Sequence, residues 1–167
     1  MNLRLTGVLV VLGSVSGVEL LLPQTPPTPR QPPIIEWGFH GTLIVGDSSR
    51  LGVVAGPRVA VRTPGGTRGA ISLGAGVMRD SASGRDEAAI EYQMASRAAG
   101  GVGVYFGGGL AGVVGAGRGE YLILYVGLEG SPGQGSGWAI EAGLGGGFRF
   151  RGAYHWRRFP RGWRPRP

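Results

Sequence analysis

The sequence predicts an all-β fold, a closed antiparallel up-and-down β-barrel of eight strands. Three observations predict it. Apolar and polar residues alternate with a period of two from Trp37 to Trp156, as a strand with one apolar and one polar face requires. Breaks rich in Gly, Ser, Pro and Asp interrupt this alternation at regular intervals, and the stretches between them run to roughly 8 to 12 residues, a strand-like length. Gly 35 and Pro 12 in 167 residues would also suit a collagen-like or disordered chain. The glycines, however, sit inside and between apolar alternations rather than in tracts, so those readings fail. The length fits one domain with a sizeable core.

Taken in order, residues 1–16 read as a signal peptide: Arg4 leads the apolar run 5–12, and Ser14, Val15 and Ser16 form a small-x-small cleavage pattern. An uncleaved anchor is the competitor, but Gly7, Gly13, Gly17 and Glu19 interrupt any apolar window of about 20 residues. Residues 17–35 follow as a spacer with six prolines between Pro23 and Pro33, too many fixed φ angles and missing donors for helix or sheet.

The barrel is expected over 36–159. Its first strand sets Trp37, Phe39, Leu43 and Val45 against Gly38, His40 and Thr42, with Ile44 the exception. Beyond a turn at 47–50, Leu51, Val53, Ala55, Val59 and Val61 oppose Gly52, Gly56, Arg58, Ala60 and Arg62. A turn at 63–67 leads to Ile71, Leu73 and Val77 opposite Ser72, Gly74 and Gly76, and a turn at 81–85 leads to Ala88, Ile90, Tyr92 and Met94 opposite Glu87, Glu91, Gln93 and Arg97. Val102, Val104, Phe106 and Leu110 oppose Gly103, Tyr105 and Gly107; after 115–118, Leu122, Leu124, Val126 and Leu128 oppose Tyr121, Tyr125 and Glu129. A loop at 130–137 precedes Trp138, Ile140, Ala142, Leu144, Phe148, Phe150, Tyr154 and Trp156, all of one parity. Read as a three-residue hairpin, 145–147 gives eight strands; read as continuous strand it gives seven and leaves an exposed edge. Eight is the count that closes. A tail rich in Arg, Pro and Trp fills 160–167.

Alternation alone does not say which face points inward. A soluble barrel turns its apolar face in, and a membrane-spanning one turns it out. Three features favour the second: aromatics toward segment ends on the apolar parity, glycines and mixed charges on the other, and an export signal ahead of the barrel. This reading requires Leu73, Val104, Leu124 and Ile140 to face out and Arg58, Glu91, Tyr125 and Glu141 to face in. It also predicts a lumen ion-pair network of Arg58, Arg62, Glu87, Glu91, Arg97, Glu141, Arg149 and Arg151.

With this pattern over residues 36–159, the chain resembles the small OmpA/OmpX-type outer-membrane barrels of bacteria. In that family a last strand of alternating aromatics ending in an aromatic residue is the assembly signal, and Phe148, Phe150, Tyr154, Trp156 and Phe159 look like it, although this chain continues to Pro167. The resemblance implies a non-enzymatic outer-membrane protein with a side-chain-filled lumen and a structural or surface-contact role. The alternatives are a secreted or periplasmic soluble barrel whose apolar parity binds an apolar ligand, and a membrane-embedded lipid-modifying enzyme.

Chemistry is sparse. All 17 basic residues are Arg, the formal net charge is +7, and seven arginines follow Glu141, the last acid. Arg157, Arg158, Arg161, Trp163, Arg164 and Arg166 are therefore expected to contact an anionic surface, namely outer-membrane lipid or lipopolysaccharide phosphates, rather than nucleic acid. Zero Cys and two His leave no independent metal site. The glycine run 107–112 lacks the Lys-Ser/Thr of a phosphate loop, and nothing in the spacing of His40, Ser72 and Glu91 marks a triad. No catalytic residue, metal or cofactor is assigned.

Overall fold

The computed structural model describes residues 32–46, 51–95 and 101–161. They form eight strands: β1 (Ile34–Val45), β2 (Gly52–Arg62), β3 (Thr67–Met78), β4 (Ser81–Ala95), β5 (Val102–Gly115), β6 (Gly119–Gly130), β7 (Ser136–Leu144) and β8 (Phe148–Arg158). Each pairs antiparallel with its neighbour in sequence, and β8 returns to β1 from Ile35↔Arg158 to Val45↔Phe148. The sheet is closed, so its backbone donors and acceptors are used within it. The expected signal peptide and most of the spacer lie outside the described residues. Ile34 and Ile35, placed in the spacer by sequence, belong to β1, where Ile34 faces inward.

Two hairpins decide the count and the register. At 145–147 all three glycines have positive φ (157°, 80° and 138°), Gly145 N–H donates to Gly147 C=O at 2.9 Å, and Leu144 pairs with Phe148. This is the turn that makes eight strands of seven. Between β3 and β4 the turn is not at 81–85 as the sequence suggested. Arg79 (φ 47°) and Asp80 (φ 58°) make it alone, in the doubly left-handed geometry whose twist matches that of the flanking strands. Residues 81–85 are consequently strand, which sends Ser83 and Arg85 inward beside Glu87.

Side chains alternate in and out along every strand, and the charged parity is the inner one. Arg58, Glu91, Tyr125 and Glu141 are buried, whereas Leu73, Leu124 and Ile140 are exposed and Val104 is half-exposed on the outer wall. Each strand contributes a large apolar side chain to the outside, from Phe39, Val59, Ile71 and Ile90 to Leu110, Leu122, Ile140 and Phe150, with Ile90 69% exposed. Beside singly buried Ile34, Val54, Ala60 and Ala70, the buried apolar residues form two inner clusters. Tyr105, Ala111, Ile123, Tyr125 and Ala139 form one; Ile44, Met78 and Val113, with Ala116 and Tyr121 against them, form the other. The second lies at the end of the barrel away from Ile34 and Arg158, because Ile44 and Met78 are late in upward strands that begin at the chain-terminal end. Ile44, the exception in sequence, keeps its parity and caps the lumen there.

Candidate functional site

The interior of the barrel is the candidate site. Among the described residues it encloses Glu36, Glu87, Glu91, Glu129 and Glu141 with Arg58, Arg62, Arg68, Arg85, Arg149, Arg151 and Arg157, all buried. Strand parity delivers them: once the register is fixed, every second residue of β1, β2, β3, β4, β6, β7 and β8 points to the axis.

The charges fall into three linked groups. Nearest the chain-terminal end, Glu129 accepts from Arg62 at 2.7 and 2.8 Å, contacts Arg68 at 3.4 Å and pairs closely with Arg157. Glu36 is held there by Arg62 at 2.6 Å and Arg68 at 3.1 Å, and His155 Nε2 lies 3.0 Å from Glu129 Oε1. At mid-height, Glu91 pairs closely with both Arg58 and Arg68 and accepts the Tyr125 hydroxyl at 2.6 Å. Arg58 also donates to Glu141 at 2.9 Å, and Tyr105 O–H donates to the same carboxylate at 3.0 Å. Toward the far end, Arg85 donates to Glu87 at 2.7 Å, Arg149 lies 3.3 Å from it, and Arg151 pairs closely with it while donating to Thr42 at 2.9 Å.

Two tyrosines are seated by glycines on the neighbouring strand. Tyr105 is opposite Gly127 and Tyr125 opposite Gly107, and a Cβ at Gly107 would stand 2.6 Å from the Tyr125 ring. The glycines thus make room for rings that lie across the lumen wall, meeting edge to face at 6.4 Å between centroids and carrying Arg68 and Arg149 over their faces at 4.8 and 4.6 Å.

The structure brings Arg58, Arg62, Glu87, Glu91, Glu141, Arg149 and Arg151 into this one interior. Arg97 lies outside the described residues. Sequence reasoning left out Glu36, Arg68 and Arg85, and it set Glu129 and His155 on the lumen parity without naming them in the network, although each shares the inward parity of its strand. Arg157 requires a correction: expected at an anionic surface, it is buried and bonds Glu129 and the carbonyls of Ser131 and Gln134 at 3.0 and 2.9 Å. It follows Arg149, Arg151 and His155 in steps of two, so β8 carries it inward. Arg158, one residue on, is exposed, as is Arg161; Trp163, Arg164 and Arg166 lie outside the described residues.

Other chemistries fit less well. Glu36, Glu129 and His155 bring ligand atoms within 4.8 Å of one another, but Arg62, Arg68 and Arg157 already compensate those carboxylates, and a cation among three guanidiniums would be repelled. Glu91 is committed to Arg58, Arg68 and Tyr125, and among the described residues no hydrogen bond joins it to Ser72 or His40. An apolar ligand finds no apolar lumen, because the parity that would have lined it faces outward. The polar spaces against Arg62, Arg68 and Glu129, and against Glu36, Arg58 and His155, amount to about 10 Å³ or less, under one water. No protein-family model, curated protein or solved structure matches this chain.

Proposed function

We propose that this protein is a non-enzymatic β-barrel of the bacterial outer membrane whose plugged lumen makes it a structural element of the envelope rather than a pore. The single observation that carries the reading is the inverted distribution of side chains: guanidiniums and carboxylates within, a continuous apolar wall without. Soluble monomers rarely expose contiguous apolar patches beyond a few hundred Å², whereas here every strand of the barrel adds to one.

The outer wall also supports a definite seating. Trp37, Tyr92, Phe106, Trp138, Tyr154 and Trp156 all lie in the part of their strands nearer the chain-terminal end, with Trp37 stacked on Trp156 at 4.9 Å and Tyr154 edge-on to it at 5.2 Å. They form a belt of the kind that sits at head-group level. Asp86 and Glu120, exposed acids on the wall, lie in the parts of their strands toward the other end. Arg158 and Arg161 stand just outside the belt, suited to lipid phosphates. Connections among the strands are short, the longest spanning 46–51 and 96–101, so the contact surfaces on offer are the wall and the two rims rather than long loops.

Fractionation of cells producing the full chain tests this. The protein is expected in the outer-membrane fraction, resistant to alkaline extraction and soluble only with detergent. A monodisperse, folded protein recovered without detergent would refute the proposal.

A further inference from the structure

Among the described residues seven arginines and five glutamates are enclosed, and the surplus is not evenly spread. Around Glu36, Glu91 and Glu129 each guanidinium finds at least two carboxylates or carbonyls. Around Glu87 the ratio reverses: Arg85, Arg149 and Arg151 all converge on that one carboxylate. Their second acid is Glu141, reached by Arg149 at 3.0 Å and Arg151 at 3.8 Å, and it also serves Arg58 and Tyr105. Arg85 has instead the carbonyl of Gly145 at 3.1 Å.

A second observation coincides with the first. Arg85 Nη1, Arg149 Nε and Arg149 Nη1 are buried without a hydrogen-bond partner among the described residues, although Arg149 is wholly inaccessible to solvent and Arg85 is 4% exposed. The Tyr125 ring covers the face of the Arg149 guanidinium and Nη2 serves Glu87 and Glu141, which leaves Nε and Nη1 unanswered. Buried donors on charged groups are costly to leave unmade; Arg157 Nε, also without a hydrogen bond, still faces Glu36 Oε1 at 3.6 Å, whereas those of Arg85 and Arg149 belong to the arginines that exceed their carboxylates. We infer that the lumen between Arg85 and Arg149 holds a small monovalent anion, chloride in kind, as an integral part of the folded barrel.

A halide fits for physical reasons. It accepts several N–H donors from different directions and returns negative charge where it is short. It is also compact enough for a lumen packed with side chains and capped on this side by Ile44, Met78 and Val113. The inference rests on the interior alone and does not depend on the membrane reading.

The test uses the full chain refolded into detergent micelles in chloride, bromide or gluconate salts of equal ionic strength. Crystals grown in bromide are expected to show an anomalous peak in contact with Arg85 and Arg149, and the thermal midpoint in chloride should exceed that in gluconate by about 4 °C once chloride stands near tenfold over its dissociation constant. The difference should vanish in Arg85→Gln and in Arg149→Gln. An ordered water with no anomalous signal, equal midpoints in chloride and gluconate, or a chloride effect unchanged in both variants would each overturn the site. If neither variant folds, the bromide position in the unaltered protein decides.

Discussion

At the scale of single residues, Glu91 shows how closely the lumen is interlocked. Its carboxylate is 1% exposed and holds Arg58, Arg68 and the Tyr125 hydroxyl at once. Removing it strands two guanidiniums where water does not reach. Glu91→Ala is expected to destabilise the barrel by about 3 kcal/mol, the usual result of breaking a buried pair by deleting one partner, read from urea unfolding followed by tryptophan fluorescence. Glu91→Gln keeps the hydroxyl contact and should lose less. An unchanged midpoint in both would mean that water or other acids solvate Arg58 and Arg68. The role of Glu91 was visible in sequence as an acid on the polar parity beside Arg58 and Arg62. Its partner Arg68 was not, because it directly follows the 63–67 stretch read as a turn and no alternation yet marks it as strand.

At the scale of elements, the β3–β4 hairpin is the place where local chemistry and the fold disagree. Two residues turn the chain, and neither is glycine, yet both occupy the left-handed region that L-residues other than Asn and Asp rarely visit. The sequence therefore pointed to the Ser- and Gly-containing 81–85 stretch as the turn. Strand register overrules it, since Met78 pairs with Ser81 and Thr67 with Tyr92 along an unbroken ladder. Replacing the pair by Arg79→Asn and Asp80→Gly supplies residues suited to this turn. The double variant is expected to gain on the order of 1 kcal/mol, because a non-glycine residue in the left-handed region costs about 1 to 2 kcal/mol and the new glycine returns part of that as unfolded-chain entropy, read as a higher thermal midpoint. A loss would show that Arg79 or Asp80 makes contacts worth more than the strain. The 145–147 hairpin is the opposite case, for three consecutive glycines announce a chain reversal that their φ values then use.

At the scale of the whole molecule, closure at eight strands determines what the barrel can pass. An interior of this size is filled by side chains, and among the described residues five glutamates, seven arginines and the rings of Tyr105 and Tyr125 fill it, with an apolar cap at one end. Purified protein in a planar bilayer is accordingly expected to give no steady open-channel current, and the same should hold after Ile44→Ala, because the ion-pair layers beneath the cap remain. Stable currents from the unaltered protein would show that the layers open. The apolar band outside sets the complementary expectation: Leu73→Arg places a charge on the outer wall and should weaken the barrel by roughly 2 to 4 kcal/mol in a bilayer, as measured by folding into lipid vesicles.

The sequence by itself determined the strand class, nearly all of the strand positions and which residues share a face, because a period of two is a property of the backbone and survives in any extended chain. Closure and the eighth strand followed from it once the triple glycine was read as a turn. Which face is inside was decided only by the tertiary structure, since alternation looks the same in a barrel and in its inverse. So was the partnership of Arg58 with Glu91 and Glu141, or of Arg157 with Glu129. Such pairs come from strands far apart in sequence that meet across the lumen only after the sheet has closed. Their energies depend on burial, and no local pattern carries that.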